Sequence, residues 1–146
     1  MNLDVSRSGA PARTATGAAV RPLALLVEDM PDVLITTGRF LEAAGFDVVR
    51  ACNGEEALQP LESGQQFALL VTDYAMPKLN GLELAAKARE RFRDIKVLVI
   101  TGFPDVEALA DLPSGMAFLI KPYKRADLIG QLKAWFTLGS FPAISG

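Results

Sequence analysis

The chain has 146 residues, of which 50% are hydrophobic and 22% are charged, so we expect one packed domain with a short tail. Its formal net charge of −2 argues against a nucleic-acid-binding protein, because such a surface is normally basic. No apolar run approaches the roughly 20 residues of a membrane span, and the N-terminus lacks the apolar segment of a secretory signal, so we expect a cytoplasmic protein without a membrane contact.

The sequence contains one cysteine, Cys52, and no histidine. A single cysteine excludes an internal disulfide, and the lack of histidine excludes a Ser-His-Asp triad, a Cys-His pair and a His-ligated zinc site. The chain also cannot carry a phosphohistidine.

Three segments differ in composition. Residues 1–22 are rich in Ala, Ser, Thr, Gly and Pro and show no hydrophobic periodicity, which predicts a disordered tail or linker. Residues 23–136 carry regular apolar patterns and predict the folded domain. Residues 137–146 contain two Gly, one Pro and two Ser, which predicts a loose C-terminal tail.

Within the predicted domain, short apolar runs alternate with segments of helical periodicity. In chain order the predicted elements are strand Leu23–Val27, a helix from Pro31 to the residue before Gly45, strand Asp47–Ala51, a helix capped by Asn53 that ends at Leu61, strand Phe67–Thr72, helix Gly81–Phe92, strand Lys96–Ile100, a short helix Pro104–Ala110, strand Ala117–Ile120 and helix Arg125–Phe136. Continuous apolar runs are typical of strands buried on both faces of a parallel sheet. Their alternation with helices predicts a doubly wound α/β domain with right-handed crossovers.

Polar residues follow four of the predicted strands. Glu28 and Asp29 follow the first strand, Asp73 follows the third, Thr101 follows the fourth and Lys121 follows the fifth. Ligands of doubly wound sheets bind beyond the carboxyl ends of the strands. We therefore expect these three carboxylates, one hydroxyl and one ammonium to share one edge of the sheet.

The chemistry of this set predicts phosphoryl transfer to a carboxylate. Three neighbouring carboxylates repel one another unless a cation lies between them, and oxygen ligands without His or Cys favour Mg²⁺, or Mn²⁺ in its place. The cation and Lys121 neutralise phosphoryl oxygens, and the Thr101 hydroxyl donates a hydrogen bond to another one. These parts allow an anionic carboxylate to attack phosphorus.

Five short segments, in chain order, carry a family resemblance. They are Val27–Asp29, Val71–Pro77, Asn80–Gly81, Val99–Gly102 and Phe118–Tyr123. Together they resemble the receiver domain of response regulators in two-component signalling, over roughly residues 22–136. The resemblance implies a flavodoxin-like doubly wound (βα)5 fold with a parallel five-stranded sheet in the order 2-1-3-4-5.

The resemblance also implies roles for individual residues. Asp73 would accept the phosphoryl group, and Lys121 would pair with the phosphate. The peptide bond between Lys121 and Pro122 is typically cis in this family. The implied Mg²⁺ ligands are the carboxylates of Glu28, Asp29 and Asp73 and the backbone carbonyl of Ala75.

Two further pairs follow from the resemblance. Thr101 and Phe118 would form the switch, in which the hydroxyl moves toward the phosphate and the ring turns inward. Ala75 and Phe103 occupy positions that tune phosphate lifetime, and their side chains cannot hydrogen-bond an attacking water. We therefore expect slow dephosphorylation, with Phe103 shielding the phosphate. The close spacing of Thr101 and Lys121 predicts a shortened fourth helix and an atypical signalling surface there.

As a function, the sequence predicts a phosphorylation-controlled binding module rather than an enzyme, with no output domain. The expected phosphodonor is a sensor histidine kinase or a histidine phosphotransfer protein, and the downstream target is a protein. The sequence does not distinguish a stand-alone receiver from the receiver of a hybrid histidine kinase. An alternative is a Mg²⁺-dependent phosphohydrolase with an aspartyl-phosphate intermediate, but Ala75 stands where the haloacid dehalogenase superfamily has its acid. A flavodoxin-like cofactor binder lacks support because no Gly-rich phosphate loop follows the first strand.

Overall fold

The fold is taken from a computed structural model, which describes residues 21–102 and 112–136. Outside these residues lie Phe103, the predicted helix Pro104–Ala110 and the predicted C-terminal tail. The predicted N-terminal tail, residues 1–22, also lies outside them except for its last two residues. In chain order the elements are β1 (Leu23–Val27), α1 (Pro31–Ala43), β2 (Asp47–Ala51), α2 (Gly54–Leu61), β3 (Phe67–Asp73), α3 (Gly81–Arg91), β4 (Lys96–Thr101), β5 (Met116–Ile120) and α4 (Arg125–Trp135).

The five strands form one parallel sheet in the order β2-β1-β3-β4-β5. The chain first moves outward from β1 to β2 and then crosses back to β3 on the other side of β1. The last residue of β1, Val27, pairs with Ala51 of β2 and with Thr72 of β3. This arrangement confirms the predicted doubly wound fold and the strand order implied by the resemblance.

Alternating side chains of the strands supply two hydrophobic cores, one on each face of the sheet. In β1, Leu25 and Val27 face the core that contains Leu84 of α3, whereas Leu26 faces the core that contains Leu128 of α4. All of these side chains are at most 1% exposed. The near-continuous apolar runs of the sequence are therefore explained by burial on both faces.

Local signals set the helix ends. Pro31 begins α1, where its missing N–H costs nothing, and Gly45 takes a φ of 111° just after that helix ends. The Asn53 side chain accepts a hydrogen bond from the backbone N–H of Glu56 at 2.7 Å and caps α2. Pro60 lies in the last turn of α2, and the helix ends one residue later, as predicted.

The observed boundaries differ from the predicted ones by at most one residue. The difference matters at two positions: Asp73 is the last residue of β3 and Thr101 is the last residue of β4, rather than the residues that follow these strands. The backbone of both residues is therefore held by the ladder of the sheet itself. Among the described residues, none of the helices combines the length and apolar character needed to cross a bilayer.

Candidate functional site

Three carboxylates meet at the carboxyl edge of the sheet. Asp73 ends β3, and Glu28 and Asp29 follow β1, the neighbouring strand. One oxygen of each carboxylate lies within 4.8 Å of the others. Glu28 and Asp73 are buried, with 2% and 6% exposure, whereas Asp29 is exposed. The structure thus brings together the three acids that the sequence placed in one cluster.

The environment of Glu28 disfavours its negative charge. Burial is the main cause that raises the pKa of Glu28 above its ordinary value, and the negative charge of Asp73 raises it further. A hydrogen bond from the backbone N–H of Met30 to Oε2, at 3.1 Å, and the charge of Lys121 act in the opposite direction. A buried carboxylate beside a second carboxylate is stabilised by a bound cation. All-oxygen donors suit a hard divalent ion, so the residues present fit Mg²⁺.

Lys121 supplies the positive charge of the site. Its backbone N–H donates to the carbonyl of Thr101 at 2.9 Å, which fixes the point where the chain leaves β5. Its Nζ lies 3.1 Å from Oδ1 of Asp73 and 3.7 Å from Oε1 of Glu28. Burial acts to lower the pKa of Lys121, but the hydrogen bond and charge of Asp73, with the charge of Glu28, outweigh it and raise the pKa overall. The Lys121–Pro122 peptide bond is cis, as the resemblance implied.

The backbone around Asp73 is held from two sides. The N–H of Tyr74 donates to the carbonyl of Ile100 at 2.8 Å, and the N–H of Gly81 donates to the carbonyl of Tyr74 at 2.9 Å. A Cβ on Gly81 would lie 2.6 Å from the carbonyl oxygen of Asp73, so only glycine allows α3 to begin this close to the end of β3. Asn80 and Glu83 form a capping box that stabilises this first turn of α3.

Thr101 and Phe118 lie on the same face of neighbouring strands. Thr101 pairs with Ile120, and Val99 pairs with Phe118, so alternation puts the side chains of Thr101 and Phe118 on one side of the sheet. Thr101 is 6% exposed, and Phe118 packs half-buried against the core that contains Leu84. The two members of the predicted switch therefore share one face of neighbouring strands, two register positions apart, and their role as a switch stays a prediction.

The two residues of the predicted lifetime-tuning pair have different outcomes. Ala75 is exposed, two positions after Asp73. Phe103 lies outside the described residues, so its expected shielding of the phosphate stays a prediction. The same is true of the predicted shortened fourth helix.

A contact between α1 and the loop that follows Lys121 was not predicted from the sequence. The side chains of Thr37 and Tyr123 form a hydrogen bond, and both border a pocket of about 640 Å³ between α1 and this loop. The available signal was Thr37 itself, because it stands between Leu34 and Leu41 on the apolar side of the predicted helix. In the structure its side chain is only 2% exposed. A polar residue at a buried helix position needs a hydrogen-bond partner, but the sequence does not say which one.

Comparison with known proteins identifies the family. The family model described as the response regulator receiver domain matches residues 24–133. The chain belongs to the response regulator receiver family. It is a receiver domain of two-component signalling, and receiver domains bind Mg²⁺ at an acidic pocket and interact with histidine kinases or phosphotransfer proteins. In this receiver, Glu28, Asp29 and Asp73 form an acidic cluster that could hold a metal ion.

Individual relatives include separate receivers and receivers of larger proteins. The response regulator receiver protein CpdR of Brucella abortus is 37% identical over 111 residues, which cover 75% of this chain and 92% of CpdR. The transcriptional regulatory protein PrrA of Mycobacterium tuberculosis is 34% identical over 115 residues, which cover 77% of this chain and 49% of PrrA, so the chain spans about half of that relative. The crystal structure of the receiver domain from the hybrid histidine kinase CckA is 33% identical, has a TM-score of 0.66 and covers 77% of this chain and 96% of that one.

Proposed function

We propose that this receiver accepts a phosphoryl group on Asp73 from a phosphohistidine of a partner protein, with Mg²⁺ at the acidic cluster, and changes its protein binding as a result. The observation that carries the proposal is that two carboxylates and the ammonium of Lys121 surround the carboxylate of Asp73. Its carboxylate lies within reach of two other acids and 3.1 Å from the ammonium of Lys121. A buried carboxylate is suited to receive a phosphoryl group when two further carboxylates can hold a metal ion beside it and a lysine ammonium lies next to it.

The metal ligands in this proposal are the carboxylates of Glu28, Asp29 and Asp73 and the backbone carbonyl of Ala75. The donor set is all oxygen, which favours Mg²⁺ and permits Mn²⁺. When bound, the ion neutralises phosphoryl oxygens and reduces the repulsion between a carboxylate and an incoming phosphate. Glu28 contributes a charge that burial has made unfavourable, so it gains from the cation.

The chemical step assigns one task to each side chain. An oxygen of Asp73 forms the new bond to phosphorus while the bond from phosphorus to the imidazole nitrogen of the partner breaks, and the electron pair leaves with the imidazole. Lys121 follows the transferred group by exchanging its contact with Asp73 for one with a phosphoryl oxygen. Thr101, at the end of β4, donates its hydroxyl to another phosphoryl oxygen.

The switch in this proposal is the Thr101–Phe118 pair. When the Thr101 hydroxyl turns toward the phosphate, it vacates space on the face of the sheet that it shares with Phe118. The half-buried ring of Phe118 then turns inward. Phosphorylation therefore biases an existing equilibrium between two arrangements of this face, and a downstream protein binds one of them better.

Dephosphorylation is slow in this proposal because the side chains at its tuning positions cannot hold an attacking water. Ala75 has a methyl group there, and Phe103 an aromatic ring. The receiver therefore acts as a switch with a long-lived on state rather than as a phosphohydrolase. Its phosphodonor is a sensor histidine kinase or a histidine phosphotransfer protein in the cytoplasm. The relatives include both a receiver protein and the receiver of a hybrid kinase, and either setting suits the proposal.

The test is phosphorylation by a small donor. The protein is incubated with acetyl phosphate, with and without Mg²⁺, and its intact mass is measured. We expect the mass of one added phosphate with Mg²⁺ and none without it. Asp73→Asn should abolish the addition, whereas Asp94→Asn, which changes an exposed acid in the turn before β4, should not. Equal labelling of the wild type and Asp73→Asn would refute the proposal, as would labelling that ignores Mg²⁺.

A further inference from the structure

A polar contact joins two elements that both lead away from the candidate site. The hydroxyl groups of Thr37, in α1, and Tyr123, in the loop between β5 and α4, form a hydrogen bond across 86 positions of sequence. Thr37 is 2% exposed, and the Tyr123 ring packs half-buried against the core on the α1 and α4 face of the sheet. Competing water therefore has little access to the contact from the Thr37 side, whereas the Tyr123 side borders the pocket of about 640 Å³.

The position of this contact relates it to Lys121. Tyr123 is two residues after Lys121, and Pro122 between them restricts the backbone. The place where the Tyr123 ring is held therefore limits where the Lys121 side chain leaves the sheet. The other partner, Thr37, lies in α1, which begins two residues after Asp29. The hydrogen bond thus connects the lysine side of the site with the carboxylate side.

The hydrogen bond restricts the position of the Tyr123 ring more narrowly than apolar packing does. The ring packs against hydrophobic side chains, and such packing is non-directional, whereas a hydrogen bond between two hydroxyl groups has a preferred distance and angle. A nearby contact between α1 and the first residue of α4, Arg125 over the ring of Phe40, has its guanidinium carbon 5.8 Å from the ring centroid and is less restrictive. The Thr37–Tyr123 bond is the more directional of the two.

We propose that Thr37 and Tyr123 are a positioning pair, which holds the loop after β5 so that Nζ of Lys121 points at Asp73. The pair touches neither the metal nor the phosphoryl group and acts through Lys121. The inference rests on the proposed function, because it assigns the pair an effect on phosphoryl transfer. Two contributions to the site are then separate. The acids determine the Mg²⁺ affinity, and the Thr37–Tyr123 pair determines how accurately Nζ of Lys121 is placed to contact the transferred phosphoryl group.

The test uses Thr37→Val and Tyr123→Phe, each of which removes one hydroxyl and keeps the volume of the side chain. The rate of phosphorylation is measured against acetyl phosphate concentration, because a small donor needs no docking surface, and Mg²⁺ affinity is measured by calorimetry. We expect each variant to lower the rate at saturating donor by about threefold to tenfold, the range for one hydrogen bond, with Mg²⁺ affinity unchanged. Thr37→Ser should restore the rate, and the double variant should be no slower than either single variant.

Thr36→Val is the matched control, since it makes the same substitution one position earlier at an exposed site of α1, and it should react like the wild type. Thermal unfolding of each variant verifies the fold, and Tyr123→Phe decides the question if Thr37→Val does not fold. Wild-type rates in both variants would overturn the positioning pair, and so would additive losses accompanied by weaker Mg²⁺ binding. Absence of label in the wild type would overturn the proposed function together with the pair.

Discussion

The ammonium of Lys121 lies 3.1 Å from Oδ1 of Asp73, although β4 separates β3, which ends at Asp73, from β5, which Lys121 follows. The lysine side chain therefore extends across the end of β4, where Thr101 is located. Asp73 and Thr101 end β3 and β4, and Lys121 directly follows β5, so the order of three adjacent strands fixes their spacing. The site is consequently a property of the strand order, and no local segment of the chain could form it alone.

Removal of the lysine charge should separate phosphoryl transfer from metal binding. In Lys121→Met we expect phosphorylation by acetyl phosphate to slow by about a hundredfold, which is the loss typical of one fixed donor at a reacting oxygen. Mg²⁺ should bind more tightly, because Asp73 and Glu28 lose a competing cation. Rates from intact mass and affinities from calorimetry measure the two effects. Lys87→Met removes an exposed charge on α3 and should change neither.

The raised pKa of Glu28 predicts a pH-dependent stability in the absence of metal. Because its pKa in the folded protein is above the unfolded value, Glu28 stabilises the fold while it is protonated, and this contribution is lost as the pH rises through the raised pKa. Glu28→Gln should therefore be more stable than the wild type at neutral pH without Mg²⁺, by a margin that shrinks at acidic pH. Urea unfolding at several pH values measures this margin. A variant that is less stable at neutral pH would contradict the electrostatic account.

The close approach of α3 to β3 predicts a large effect of a single methyl group. In Gly81→Ala the new Cβ would lie 2.6 Å from the carbonyl oxygen of Asp73 and 2.9 Å from Cα of Tyr74, so backbone must move. We expect a loss of about 1–3 kcal/mol in the free energy of unfolding, the usual cost of overpacking, and slower phosphorylation of the displaced Asp73. Chemical denaturation measures the first effect and intact mass the second.

The matched control for that substitution is Gly130→Ala, in the exposed part of α4. A Cβ there would meet nothing within 4 Å, and alanine favours a helix over glycine. The free energy of unfolding should rise by about 0.5–1 kcal/mol. If both alanine variants behaved alike, the contact between Gly81 and Asp73 would not explain the result.

The methyl group of Ala75 predicts a long-lived phosphorylated state. Ala75→Asn places a polar side chain two residues after Asp73, where it can hold a water for attack on the phosphate. We expect it to lose its label severalfold faster than the wild type, as followed by intact mass after the donor is removed. Ala86→Asn, at an exposed position of α3, should retain the wild-type rate. Loss of label from the wild type within seconds would contradict the expected slow dephosphorylation.

The sequence predicted most of the described fold because its signals are local. The runs Leu23–Val27 and Asp47–Ala51 match β1 and β2 exactly, and Pro31 and Asn53 mark the starts of two helices. The position of Asp73 at a strand end followed from the apolar run before it. The strand order came from the family resemblance, because hydrophobic patterns give the number of strands but not their neighbours.

Contacts between remote segments could not be predicted in this way. The sequence shows that Thr37 is a polar residue on an apolar helix face, but the choice of Tyr123 as its partner depends on how α1 packs against the loop after β5. Likewise, glycine at position 81 is explained only by its distance to the backbone of Asp73. Both features arise from tertiary packing, which a single sequence does not specify.

The most direct measurement of the central claim is the chemical identity of the residue that carries the phosphate. After incubation with acetyl phosphate and Mg²⁺, borohydride reduction converts a phosphorylated aspartate to homoserine, and peptide mass spectrometry locates it. The account predicts homoserine at position 73 and none at Asp29 or Asp32. Reduction at another aspartate, or a phosphate that resists borohydride and maps to a hydroxyl side chain, would contradict it.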